Sequence, residues 1–355
     1  MAESLSRRAG DAVPRPARPS GVVRAPRLPR AADQWLNGVP TTDWRGRVTL
    51  VDFWTYSCIN CLRTLPALRA WHAHYAAHGL AIIGVHTPEF PFERERINVA
   101  RALDDLQVAY PVVQDNDRAI WSSFANRCWP HRYLIDATGR IVHDHAGEGG
   151  EVATERALRA ALAALPAAPS LPPPIFATPD DWDDRNAGAP GAVCLPGTPE
   201  LFAGYYRGVS GNPGGFREDE VAAYTDPGDY REGYLHLQGS WRVEADAAHF
   251  VGPGPGYLRV AFRGTAPNLV LAPVSGDVTV AHAGIGDALT ATPAAASGLP
   301  LGVPLAVDRP RLYPLPTTAW QATARAGSPD ALRLLTLVPA APGLLVYSLT
   351  FGACG

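Results

Sequence analysis

The sequence predicts two domains of different class, an α/β layer domain followed by an all-β sandwich. From about residue 35 to residue 165, short apolar or β-branched runs alternate with stretches of helical periodicity, which is typical of helices packed on a partly parallel sheet. Residues 166–199 are rich in proline, glycine and aspartate, as linkers are. After residue 224 only short apolar runs separated by turn residues remain, which favours a sandwich.

Length and composition fit this division. The chain has 355 residues, of which 46% are hydrophobic and 18% charged, so it is long enough for two domains with real cores. Its net charge of -3 gives no electrostatic footprint for nucleic acid, and we expect no nucleic-acid partner. We expect a flexible basic tail at 1–30, the first domain at 31–166, the linker at 167–199 and the second domain at 200–355.

The N-terminal segment and the apolar runs indicate where in the cell the protein is expected. Residues 1–30 are rich in arginine and proline and contain no apolar core, so they do not resemble a secretory signal. The longest apolar runs, such as residues 80–85, are too short to cross a bilayer. We therefore expect a cytoplasmic protein as the sequence is written. A misassigned start codon would leave an extracytoplasmic location open.

The elements of the first domain follow from local patterns. Residues 48–54 and 80–86 form apolar runs of strand length, and residues 58–77 repeat apolar side chains every three or four positions, as a helix does. Further helices are predicted at 93–106, 119–126 and 151–165, and two strands at 132–136 and 140–143 flank a turn. The strand at 48–54 leads directly into the helix at 58, so side chains at this junction lie at a helix N-terminus.

The run Cys58-Ile59-Asn60-Cys61 occupies that junction. Disulfide exchange needs one accessible thiolate to attack and a second thiol nearby to resolve the mixed disulfide. A helix start stabilises the first sulfur as a thiolate, and the second sulfur lies one turn further in. Half of a zinc site has the same spacing, but zinc needs two more ligands, and the other cysteines are isolated, so we predict no metal.

Three neighbouring features favour redox chemistry. Asp52 precedes Cys58 by six positions on the predicted strand, where a buried carboxylate could accept the proton of the resolving thiol. Pro66 interrupts the helix and should kink it. Trp129-Pro130 precedes a strand, where a cis proline could present backbone groups to a bound peptide.

These motifs resemble the thioredoxin superfamily in its TlpA/AhpC-TSA-like branch, and more narrowly the soluble C-terminal region of DipZ-type cytochrome c biogenesis proteins. The resemblance is carried by Val51-Asp52-Phe53-Trp54-Thr55-Tyr56-Ser57-Cys58-Ile59-Asn60-Cys61-Leu62-Arg63-Thr64-Leu65-Pro66 and by residues 82–90, 133–136 and 147–150. It implies that Cys58 is the nucleophile, Cys61 the resolving cysteine, Asp52 the buried acid and Pro130 a cis proline. It further places Trp129, Pro130, Trp54 and Glu89 along the substrate groove. Cys128 stands where an aromatic residue is expected.

The second domain resembles the jelly-roll, carbohydrate-binding-module-like sandwich of the same family, through residues 199–205, 237–241 and 310–313. Sugar binding needs exposed aromatic faces, and the candidates for a glycan or partner face are Trp241, Tyr257, Tyr313 and Trp320. The alternative is that these rings belong to the core, because a sandwich needs large inward residues.

Together these features predict a thiol–disulfide oxidoreductase of the protein-disulfide reductase type. The resemblance implies no cofactor beyond the redox-active disulfide, a protein or small-molecule disulfide as substrate, and an upstream electron donor such as a separate membrane thiol transporter. Two alternatives remain open. The sandwich could be a glycan- or protein-binding module that the redox domain merely assists, or the chain could be a peroxiredoxin-like peroxidase.

Overall fold

The computed structural model describes residues 23–29, 31–40, 43–177, 197–275, 279–287, 302–315 and 331–352. The first domain contains β1 (Trp35–Leu36), β2 (Val48–Trp54), α1 (Ile59–Tyr75), β3 (Leu80–His86), α2 (Arg96–Asp105), β4 (Val112–Gln114), α3 (Ala119–Ser123), β5 (His131–Ile135), β6 (Ile141–Ala146) and α4 (Glu151–Ala163). A 3₁₀ turn, Pro91–Arg94, precedes α2. Strands β1 and β4 were not predicted, and the other strands and helices agree with the sequence-based expectations to within a few residues at each end.

The six strands of this domain form one sheet in the order β1-β4-β3-β2-β5-β6. Strand β2 is parallel to β3 and antiparallel to β5, so the sheet is mixed and the predicted thioredoxin-like α/β fold is confirmed. Every residue of β2 is buried, because both faces of a central strand are covered in such folds. Alternation along β2 places Asp52 on the same face as Leu50 and Trp54, toward the core that contains α1.

The segment predicted to be a flexible tail up to residue 30 is partly packed, which corrects that boundary. The amide of Ile141 donates to the carbonyl of Val23 at 2.9 Å, and the amide of Ala25 donates to Gly139. Leu28 is buried. The indole of Trp44 donates to the carbonyl of Pro26 at 3.0 Å. Residues 23–29 therefore extend the first domain, and residues 1–22 lie outside the described residues.

The first part of the predicted linker also belongs to the first domain. We call residues 171–177 the strap. Its amides at Ile175 and Phe176 donate to the two carboxylate oxygens of Glu155, at 2.8 and 2.7 Å. The ring of Phe176 packs edge-on against Trp71. The strap thus covers α1 and α4, and the remainder of the predicted linker, residues 178–196, lies outside the described residues.

The second domain is all β, as predicted. Its strands are β7 (Leu201–Phe202), β8 (Val221–Tyr224), β9 (Leu235–Val243), β10 (Ala248–Phe250), β11 (Tyr257–Phe262), β12 (Thr265–Pro273), β13 (Thr279–Asp287), β14 (Val303–Val307), β15 (Arg311–Pro314), β16 (Arg333–Pro339) and β17 (Leu344–Gly352). The first half of β9 pairs with β11 and the second half with β8 and β10. Gly239, with a φ of 92°, lies where the strand changes partners, a conformation that glycine adopts without strain.

The two domains share a packed interface. Ring packing joins Tyr347 of β17 to Phe90 and Phe92, which follow β3. An ion pair of 2.7 Å joins Arg207 to Glu89, and another of 2.6 Å joins Arg309 to Asp105 at the end of α2. The second domain therefore contacts the first beside the segment that follows β3.

Candidate active site

The two cysteines lie where β2 turns into α1, and the turn gives them different surroundings. Cys58 is the N-cap residue of α1, and its sulfur accepts a hydrogen bond from the amide of Cys61 at 3.4 Å. Unpaired amides at a helix start stabilise negative charge on a sulfur. Cys58 is half-buried, whereas Cys61 is fully buried, and both are free thiols. Only Cys58 is therefore accessible to a substrate disulfide.

Cys61 is held in the thiol form. Burial raises the pKa of the Cys61 thiol well above its ordinary value, and the neighbouring Cys58 and Asp52 raise it further. A thiol with a raised pKa is a poor nucleophile until a base removes its proton. This difference between the two sulfurs fits attack by Cys58 followed by resolution by Cys61.

Asp52 has the features of that base. It is fully buried, and neither carboxylate oxygen has a hydrogen-bond partner among the described residues. Burial raises its pKa to about 7, although the guanidinium of Arg132 acts in the opposite direction. A carboxyl group that titrates near neutral pH can both accept and return a proton.

Arg132 is a buried charge that the sequence analysis missed. It lies directly opposite Asp52 in the β2–β5 register, and its side chain is fully buried. Its guanidinium lies 3.5 Å from Glu151 at the start of α4, donates to the carbonyl of Gly149, and lies over the ring of Trp71. The available signal was alternation along β5, which places residue 132 on the inner face together with residue 134.

The Trp129–Pro130 peptide bond is cis, as expected. Pro130 is buried, and its carbonyl accepts a hydrogen bond from the amide of Gly147 at 2.8 Å. Trp129 is half-buried. Its ring lies 4.5 Å from that of Trp121, and the guanidinium of Arg118 lies 5.1 Å above it. Arg118 was not predicted, and no local motif indicates it.

A second buried carboxylate, also missed, lies beside the cysteine turn. Glu93 is fully buried. One of its oxygens accepts from the amide and the hydroxyl of Ser57, at 3.3 and 2.5 Å. The other accepts from the amides of Glu89 and Phe90, at 2.6 and 3.0 Å. Burial raises the pKa of Glu93, and these donors lower it part of the way back. The sequence signal was a proline followed by a glutamate in a first helical turn.

Two predicted groove residues lie in different surroundings from those expected. Trp54 is fully buried, and its ring meets His86 edge-on, so its assignment to an exposed substrate groove is wrong. The strand on which it lies is covered on both faces. Glu89 is 11% exposed, and its carboxylate is occupied by Arg207 of the second domain, so this side chain joins the domains.

The described residues of the candidate aromatic face of the second domain are not exposed. Trp241, Tyr257 and Tyr313 are buried. The indole of Trp241 donates to the carbonyl of Gln238, and the hydroxyl of Tyr257 donates to Asp226. These three rings therefore form no stacking surface, and their burial supports the alternative that they are core residues. Trp320 lies outside the described residues.

The described residues contain neither a cluster of metal-ligating side chains nor a membrane-spanning helix. In the described ranges, no three His, Cys, Asp or Glu side chains lie close enough to hold a metal ion. Within the same ranges, no helix is long and apolar enough to cross a membrane.

The comparisons with known proteins follow the two domains. Residues 24–144 match the AhpC/TSA family, and residues 198–352 match the family described as thioredoxin-like C-terminal domain. Protein DipZ of Mycobacterium tuberculosis is 37% identical over 219 residues, which are 60% of this chain and 30% of DipZ. The thiol-disulfide oxidoreductase YkuV of Bacillus subtilis is 28% identical over 36% of this chain and 87% of its own.

Solved structures also align with the first domain. A thioredoxin-like protein in its oxidised form, known from a solution structure, has 26% identity and a TM-score of 0.36 and covers 39% of this chain and 95% of its own. The chain spans about a third of the length of the DipZ proteins that it matches.

Proposed function

Because this chain is a DipZ-like member of the thioredoxin superfamily, we propose that it is a protein-disulfide reductase that works through Cys58 and Cys61. The observation that carries the proposal is the unequal burial of the two sulfurs at one helix start. Cys58 is accessible, whereas Cys61 is fully buried. Cys61 lies in the core on one face of β2, the strand that carries Asp52. A zinc or structural pair has no need of this difference, whereas disulfide exchange depends on it.

The reaction proceeds in two exchanges. The Cys58 thiolate attacks one sulfur of the substrate disulfide, a bond forms between them, and the other substrate sulfur leaves as a thiolate that takes a proton. Asp52 accepts the proton of Cys61, and the Cys61 thiolate then attacks Cys58. The second substrate sulfur leaves Cys58 as a thiolate and takes up the proton that Asp52 received from Cys61. The substrate thus gains two electrons and two protons, the other proton coming from solvent, while the pair becomes a disulfide.

The reducing direction requires a donor that returns the pair to its dithiol form. We propose that this donor is a membrane thiol transporter of the cytochrome c biogenesis type. The support is the similarity to DipZ. Measuring the potential of the Cys58–Cys61 couple against glutathione tests the direction, because a reductase needs a couple more reducing than its substrates.

Variants of the three described cysteines test the proposal in the full-length chain. With dithiothreitol as donor and insulin as substrate, Cys58→Ser should lower the rate of reduction to that of dithiothreitol alone. Cys61→Ser, reduced first and then freed of dithiothreitol before insulin is added, should accumulate mixed disulfides because no thiol resolves them. Cys128→Ser is the matched control and should reduce insulin at the wild-type rate. Reduction by Cys58→Ser at the wild-type rate would refute the proposal, and trapped complexes with Cys58→Ser in place of Cys61→Ser would reverse the two roles.

For the second domain we propose an accessory role in holding a protein partner or a glycan near the redox pair. Its direct packing on the segment that follows β3 supports this role. The same Cys58→Ser variant separates the hypotheses, because a chain that acts only as a binding module would keep its function without the nucleophile.

A further inference from the structure

The segment between β3 and α2 lies between the two domains. We call residues 87–94 the docking loop. On the side of the second domain, the guanidinium of Arg207 binds the carboxylate of Glu89 at 2.7 Å and lies 5.2 Å above the ring of Phe90. Tyr347 packs on Phe90 and Phe92, with centroid distances of 5.2 and 4.8 Å. Side chains of the second domain therefore contact this loop at Glu89, Phe90 and Phe92.

On its other side the docking loop is hydrogen-bonded to the cysteine turn through the carboxylate of Glu93, and the ring of Phe92 packs against Tyr56. Glu93 accepts the amides of Glu89 and Phe90 on one oxygen and the amide and hydroxyl of Ser57 on the other. Ser57 directly precedes Cys58. Because a buried carboxylate is costly to leave without donors, a displacement of the loop must either move Ser57 or break these hydrogen bonds.

We propose that docking of the second domain positions the nucleophile, with Arg207 and Glu93 as positioning residues for the reaction of Cys58. Arg207 touches no reacting atom. It fixes Glu89 and the adjoining backbone, Glu93 transmits that position to Ser57, and Ser57 sets the orientation of the turn that presents Cys58. This inference rests on the proposed function, because it concerns the same thiol.

The ion pair between Arg309 and Asp105 provides a matched control. It also joins the two domains, at 2.6 Å, but it lies at the end of α2. The ion-pair partners of Arg309 are Asp105 and Asp308, and neither belongs to the docking loop. Arg309→Ala thus removes an interdomain arginine of similar exposure whose side chain forms no hydrogen bond or ion pair with the docking loop or with Ser57 among the described residues.

The experiment measures the rate at which iodoacetamide alkylates Cys58 in the reduced full-length chain, from pH 5 to pH 9, together with insulin reduction. Arg207→Ala should change the alkylation rate about 5-fold or more, which is the lower end of the range for coupling between two sites. It should also displace the pH profile of that rate. Glu89→Gln, which breaks the same pair from the first domain, should act in the same direction. Arg207→Lys should restore part of the rate, and Arg309→Ala should match the wild type.

A wild-type alkylation profile for both Arg207→Ala and Glu89→Gln would overturn the inference. A change in Arg309→Ala as large as that in Arg207→Ala would also overturn it, because it would indicate general loosening of the interface. The proposed function fails separately, through an absence of insulin reduction by the wild-type chain. If Arg207→Ala unfolds, as circular dichroism would reveal, Glu89→Gln alone decides, because it preserves the size of the side chain.

Discussion

Replacing Asp52 with asparagine tests the buried acid through the stability of the fold. Folding moves this carboxyl group from water to a fully buried site and raises its pKa from 3.8 to about 7. Since one pKa unit corresponds to about 1.4 kcal/mol, the ionised form lowers the free energy of unfolding by about 4 kcal/mol at alkaline pH. Asp52→Asn removes this cost.

The sign follows from proton binding. Between about pH 4 and pH 7 the folded protein retains a proton on Asp52 that the unfolded chain has lost, so stability falls as pH rises through this window and levels off above it. With these two pKa values, the linkage relation gives a cost of about 2 kcal/mol at pH 5 and about 4 kcal/mol at pH 8.5. The advantage of Asp52→Asn over the wild type should therefore grow by about 2–3 kcal/mol between these pH values.

Pulse alkylation of Cys61 during urea titrations measures this difference, because the thiol is fully buried in the folded domain and its labelling reports unfolding of the first domain alone. Asp104→Asn, which removes an exposed carboxylate from α2, is the control and should follow the wild type at every pH. A stability difference between Asp52→Asn and the wild type that is equal at pH 5 and pH 8.5 would refute the assignment. The same substitution should slow resolution of the mixed disulfide about 100-fold.

Three further predictions follow from other contacts. Cys128, whose pKa burial raises, should stay reduced when limiting peroxide oxidises the Cys58–Cys61 pair; peptide mapping that finds Cys128 in a disulfide would contradict this. The double variant Arg132→Met with Glu151→Gln removes the charge that lowers the pKa of Asp52. The pH window in which stability is lost should therefore extend to higher pH. An unchanged window in the same urea titrations would disprove the coupling between Arg132 and Asp52. Limited proteolysis should cut first within the predicted linker at residues 167–199, because of its proline-, glycine- and aspartate-rich composition, but outside the strap, whose amides bind Glu155. Mass spectrometry of the fragments identifies the sites, and earlier cuts in the strap would contradict its attachment to Glu155.

Local patterns were sufficient for most of the first domain. The apolar run at residues 80–86 has the bounds of β3, and the helix predicted to begin at Cys58 has that residue as its N-cap. The cysteine spacing and the proline at residue 130 are also local signals. Each of these features is decided by neighbouring residues along the chain, so one sequence was enough to predict it.

The missed features are non-local. Glu93 and Ser57 are separated by 36 positions, and no periodicity relates them. Arg132 lies in a predicted strand, but a lone arginine is usually at the surface, and only alternation along β5 indicates the inner face. The misplacement of Trp54 has the same origin, since only the assembled sheet reveals that β2 is covered on both sides.

The attachment of the strap to Glu155 has a consequence for cutting this protein into pieces. Glu155 is buried and receives the amides of Ile175 and Phe176 as well as the hydroxyl of Tyr75. An expression fragment that stops at residue 166, where the composition changes, would strip two donors from a buried carboxylate and uncover Trp71. A gene fusion that grafts this domain onto another partner must carry the strap with it.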